Sequence, residues 1–184
     1  MKNILTLILL YSLLTNAQNL NLGFDVEPHQ VRINTNHGTR ILGGDGIPVS
    51  LHLDLTYKPI DKLFLIAKVG RTFHMEFLGW EYGVNGKYEF YKPIFISVGI
   101  LQHSNEGGGV SNEENLLFAS IFMIYTGIGI GVSDIFSIGI NFYVPFSNKK
   151  IGKLLQQFEN NNVLWENYTF KNMLRLSFVF EWPI

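Results

Sequence analysis

Cysteine is absent from the 184 residues. That excludes disulfides, thiolate metal sites and a lipid anchor on an N-terminal cysteine. No apolar run reaches the roughly 20 residues that a membrane-spanning helix needs. The nearest, residues 121–132, is broken by Tyr125, Thr126 and spaced glycines and has the look of a strand. Neither sign of charge prevails, with 14 Lys and Arg against 15 Asp and Glu. There is therefore no basic face to hold a nucleic acid. No spacing of histidines and carboxylates argues for a metal or another cofactor. What the chain does have is 14% aromatic residues, 18 glycines and a persistent period of two.

The N-terminus reads as a secretory signal. Lys2 supplies a positive start, residues 4–14 are mostly apolar, and Thr15-Asn16-Ala17 offers a cleavage site before Gln18. Removal after Ala17 leaves residues 18–184, enough for one domain.

Alternate side chains of a strand point to opposite faces. Eight segments follow that rule. In residues 174–182, Leu174, Leu176, Phe178, Phe180 and Trp182 alternate with Arg175, Ser177, Val179 and Glu181. Residues 80–90 set Trp80, Tyr82, Val84, Gly86, Tyr88 and Phe90 against Glu81, Gly83, Asn85, Lys87 and Glu89. The others are residues 20–27, 49–58, 63–72, 94–103, 117–131 and 136–146. Short turns at 58–61, 91–93 and 132–134 carry proline or Asp, which favour turn geometry. They alternate with longer stretches at 28–48, 73–79, 104–116 and 147–170. An exported chain without a spanning helix has one route into a membrane, a closed β-barrel. The expected fold is all-β, an eight-stranded antiparallel transmembrane barrel with short periplasmic turns and long extracellular loops.

The two faces do not by themselves say which is inside, because a soluble barrel would reverse them. Three features put lipid on the apolar face. The polar faces hold many charges interleaved with glycine, aromatics cluster at strand ends, and the chain closes on Trp182, two residues from its end. Asp25, Glu27, His52, Asp54, Lys58, Lys68, Glu81, Lys87, Glu89, Arg175 and Glu181 then fall in the lumen. An eight-stranded barrel is about filled by its own side chains. The acids and bases are expected to pair there, since an unpaired buried charge is costly.

On this pattern the chain resembles the small eight-stranded bacterial outer-membrane barrels, of the outer-membrane protein A transmembrane-domain and adhesin-related type. The resemblance implies location in the cell outer membrane. The implied partners are outer-membrane lipids and lipopolysaccharide, with an extracellular partner reached through the loops.

One stretch invites chemistry. Gln102-His103-Ser104-Asn105-Glu106-Gly107, followed by Asn112 to Asn115, puts a base beside a hydroxyl near the expected outer rim. It looks like the His-x-Ser-Asn region of the lipid A 3-O-deacylases and of outer-membrane phospholipase A. That resemblance implies an ester hydrolase with Ser104 as nucleophile, His103 as base, and Glu114 or Asn115 orienting the base. The families separate His and Ser by one residue, however, whereas here the two are adjacent. Alternation sends His103 to the lumen and Ser104 outward unless a bulge intervenes. The primary expectation is thus a non-enzymatic barrel, and the alternative an outer-leaflet lipid esterase.

In the longest loop, Ile151, Leu154, Leu155 and Phe158 have the i, i+3, i+4, i+7 spacing of a short amphipathic helix. Lys149, Lys150 and Lys153 flank it.

Overall fold

A computed structural model describes residues 19–42, 47–74, 77–106, 108–109, 114–159 and 162–184. The segment expected to be a secretory signal, residues 43–46 of the first glycine-rich loop, Gly107 and Asn112 lie outside them. The described residues form twelve strands. In chain order they are β1 Leu20–Thr35, β2 Gly38–Leu42, β3 Val49–Ile60, β4 Leu63–Phe73, β5 Gly79–Tyr91, β6 Ile94–Asn105, β7 Gly108–Gly109, β8 Glu114–Leu116, β9 Ala119–Gly131, β10 Phe136–Pro145, β11 Lys150–Glu159 and β12 Asn162–Pro183.

Eight of these close a barrel in the order β1-β3-β4-β5-β6-β9-β10-β12, every neighbour antiparallel, and β12 returns to β1. Closure runs from Asn21 opposite Pro183 to Asn34 opposite Thr169. The Ile184 amide donates to the Leu20 carbonyl at 3.1 Å, fixing both ends on the short-turn rim. The eight expected strands are therefore present in the expected order.

The long connections differ from expectation. β1 does not stop at Glu27 but continues to Thr35, and β12 starts well before Leu174, at Asn162. The extra lengths form hairpins β1–β2 and β11–β12 above the barrel. β8 adds to β11, and β7 to β8. Pro28 hides the continuation in the sequence, because it has no amide hydrogen to offer a ladder. It sits where β1 ends its pairing with β3, opposite Val49, just before pairing with β2 begins at Val31. The helix expected around Ile151 is strand β11 instead. Register shifts at Lys150/Gly152 and Leu155/Gln157 interrupt the period of two, so a bulged strand carried a helix-like spacing.

The burial pattern settles which face is inside. On β5, Trp80, Tyr82, Val84, Tyr88 and Phe90 are exposed, while Glu81 and Lys87 are buried. On β12, Leu174 and Leu176 are exposed, while Met173, Arg175 and Ser177 are buried. The apolar face points outward on every barrel strand. Trp80 and Tyr82 lie near the long-loop rim, and Tyr88, Phe90, Tyr91 and Trp182 near the short-turn rim. From Trp80 to Phe90 the rise is about 26 Å, taking about 3.4 Å per residue and a tilt of about 40°. That matches the apolar band of roughly 25 Å typical of outer-membrane barrels.

Candidate functional site

The lumen has two storeys. The lower is charged, and its hub is Arg175, fully buried on β12. Its guanidinium reaches Glu81 on β5 with both terminal nitrogens, at 2.8 and 2.5 Å, and Glu27 on β1 at 2.6 Å. The bidentate geometry suits the planar fork of arginine, and the Tyr143 ring lies 4.9 Å from it. Glu27 also accepts from Lys68 at 3.1 Å and from the Ser177 hydroxyl at 2.9 Å, and Lys68 donates to Asp25 at 2.9 Å. Two imidazoles meet Glu81 as well: His52 Nε2 at 2.8 Å and His103 Nδ1 at 3.0 Å. Both donate, since an ionised carboxylate only accepts. Nearer the short-turn rim, Lys87 pairs with Glu181 at 3.0 Å under the rings of Phe64 and Phe95, and Thr56 donates to Glu181.

Small side chains make room for this network. A Cβ on Gly70 would run into the Leu51 carbonyl and the His52 ring, and one on Gly127 would displace Asn141 from Ser97. Asn141 instead accepts from the Ser97 hydroxyl at 3.0 Å and donates to Ser177 at 2.7 Å. Of the residues assigned to the lumen from sequence, Lys58 and Glu89 lie at its rim. Lys58 is 3.4 Å from Asp61, with its side chain 36% exposed.

The upper storey is apolar, which the strand alternation alone did not reveal. Val31, Ile33, Leu101, Met123, Ile151 and Phe170 form part of a buried cluster that closes the long-loop end. Phe77, from the β4–β5 connection, is fully buried and stacks on His103, with centroids 3.8 Å apart and planes 7° apart. Asn105, expected only as part of the Ser-Asn motif, ties this cap down. Its amide donates to the carbonyls of Leu117 at 2.8 Å and Ile151 at 3.2 Å.

The proposed catalytic residues are therefore divided. His103 is fully buried in the lumen, with Nδ1 on Glu81 and Nε2 facing Asn105 Oδ1 at 3.4 Å. Ser104 is half-buried on the outward face, opposite Trp80 on one side and Ser120 on the other. No bulge lies between β6 and either neighbour at this point. Both imidazole nitrogens are thus engaged away from the serine. Glu114 and Asn115 lie on β8, opposite Leu154 and Lys153 of β11. The fold thus sends His103 and Ser104 to opposite faces of β6.

A concavity of about 900 Å³ lies on the outer face over β3 to β6, reaching Leu20 of β1 and Ile124 of β9. Leu55, Leu65, Ala67, Val84, Val98 and Ile100 line it, and it offers no reactive group. Among the described residues, a cavity of about 40 Å³ lies in the lumen.

No family model and no curated protein sequence matches the chain. Solved structures do. Neisserial surface protein A is 12% identical over 89% of this chain and 97% of its own, with a TM-score of 0.49. The N-terminal β-barrel domain of Pseudomonas aeruginosa OprF is 14% identical over 89% and 98%, with a TM-score of 0.44. The attachment invasion locus protein Ail of Yersinia pestis, crystallised with the heparin analogue sucrose octasulfate, is 10% identical over 89% and 99%, with a TM-score of 0.45.

Proposed function

We propose that this chain is an integral outer-membrane protein of a Gram-negative bacterium, exported by its N-terminal segment and without catalytic turnover. The observation that carries this reading is the inversion of the barrel, with ion pairs inside and an apolar belt between two aromatic girdles outside. In water such a belt would far exceed the few hundred Å² of contiguous apolar surface that a soluble monomer tolerates. A plugged lumen suits a rigid anchor, not a channel. Activity then falls to the hairpin tier above the rim. There Arg32, Lys149, Lys150, Lys153 and Lys171 are all exposed around β1, β11 and β12. Cations just above an apolar belt suit the phosphates of outer-leaflet lipopolysaccharide.

The ester-hydrolase reading keeps one point in its favour. Ser104 is on the outward face near the outer girdle, at the depth of acyl esters. It requires a base other than His103 as now held, or a shift of β6 that frees that ring. A lipid mass profile of cells with and without the protein separates the two readings. The expected result is no new lyso-lipid or deacylated lipid A, with Ser104→Ala indistinguishable from wild type. Fatty-acid release that Ser104→Ala abolishes would reverse the assignment.

A further inference from the structure

The buried charges form an open chain with an anion in excess at each end. Its order is Asp54, Asp25, Lys68, Glu27, Arg175, Glu81: four carboxylates and two fixed cations, all nine-tenths buried or more. At the Glu81 end, His52 and His103 supply the extra donors. At the other end nothing does. Asp25 Oδ1 and Asp54 Oδ1 have no hydrogen-bond partner, and neither does Asn85 Oδ1. These three oxygens come from β1, β3 and β5, and all three side chains line the 40 Å³ lumen cavity. Lys68 and Lys87 line the cavity too, but the first ammonium is already shared between Asp25 Oδ2 and Glu27 Oε1 and the second is held by Glu181.

Two carboxylate oxygens and an amide oxygen without donors are the ligand set of a hard cation. The space exceeds the roughly 10–15 Å³ that one water requires, so an ion with water completing its shell fits. Water alone would supply hydrogen bonds but no charge, so the aspartates would have to take up protons instead. A second grouping, Asp25, Glu27 and His52, brings its ligand atoms within 4.8 Å of one another. Its carboxylates already hold Lys68 and Arg175, which makes it the poorer site.

We infer that the lumen cavity between Asp25, Asp54 and Asn85 binds a hard metal cation of the Ca²⁺ or Mg²⁺ type, which completes the charge network of the barrel. The ion would be a structural ligand with no catalytic part, and the inference does not depend on which membrane holds the barrel. The spacing of these residues in sequence gave no sign of it, because the site is made by pairing across strands.

The test uses the full mature chain refolded in detergent, stripped with chelator and dialysed against Ca²⁺, Mg²⁺ or Na⁺ alone. Bound metal is counted by elemental mass spectrometry, and thermal unfolding is followed in parallel. One equivalent of Ca²⁺ or Mg²⁺ per chain is expected, with a midpoint raised by several degrees over Na⁺. Asp54→Asn, which keeps the side-chain volume, should lose both. Should that variant fail to fold, Tb³⁺ on the wild type gives a second readout. Tyr125 lines the same cavity, so Tb³⁺ luminescence excited through tyrosine should appear and fall severalfold in Tyr125→Phe. No retained metal and identical midpoints in all three salts would overturn the site and leave protons or water at the two aspartates.

Discussion

Replacing Arg175 by alanine should destabilise the barrel by about 3–5 kcal/mol, the range seen when one partner of a buried ion pair is removed. The loss exceeds that of the attraction itself, because Glu27 and Glu81 stay behind in a closed compartment. Arg175 provides three of their hydrogen bonds. Unfolding in urea from lipid vesicles measures the change. Arg71→Ala is the control, since its bond to Glu106 is as short, at 2.7 Å, but both side chains are about one-third exposed. An exposed pair is worth about 0–1 kcal/mol. Equal effects for the two variants would mean that water reaches the Arg175 hub, and the lumen would then be an open channel.

Val84→Arg should cost about 2–4 kcal/mol, the penalty for an arginine facing lipid at the midplane of a barrel. Val84 is 54% exposed on β5, between the girdle residues Trp80 and Tyr82 above and Tyr88 and Phe90 below. The same change at Tyr91, 71% exposed beside the short turn, should cost about 0–1 kcal/mol, because an arginine there reaches the interface. The depth dependence is the point of the comparison. On a water-exposed strand both substitutions would be near neutral, and a small effect at Val84 would place that face in water.

Much of the barrel was legible in the sequence because a period of two survives in any strand whose faces meet different surroundings. Trp80 to Phe90 shows it without a break, and its parity put Glu81 and Lys87 together on the face opposite the aromatics. The same parity separated His103 from Ser104 and assigned Arg175 to the lumen. The hairpin tier was not legible, for physical reasons. Pro28 interrupts β1 at the point of partner exchange, and two bulges scramble the alternation of β11. The apolar cap was hidden because Phe77 enters the lumen from a connection, where no periodicity applies. Asn105 looked like a motif residue beside a serine, whereas its role is to anchor Leu117 and Ile151. The pairing of Glu81 with two histidines joins β3, β5 and β6, and no spacing along one segment encodes it.

The account rests on the apolar face meeting lipid and the charged face being sealed. A spin label placed in turn at each position from Trp80 to Phe90 in reconstituted vesicles tests both at once. Even-numbered positions should be accessible to oxygen and shielded from a water-soluble nickel reagent, most strongly at Val84, while odd-numbered positions should be shielded from both. Nickel access at Val84 equal to that at Tyr91 would contradict the membrane-spanning barrel.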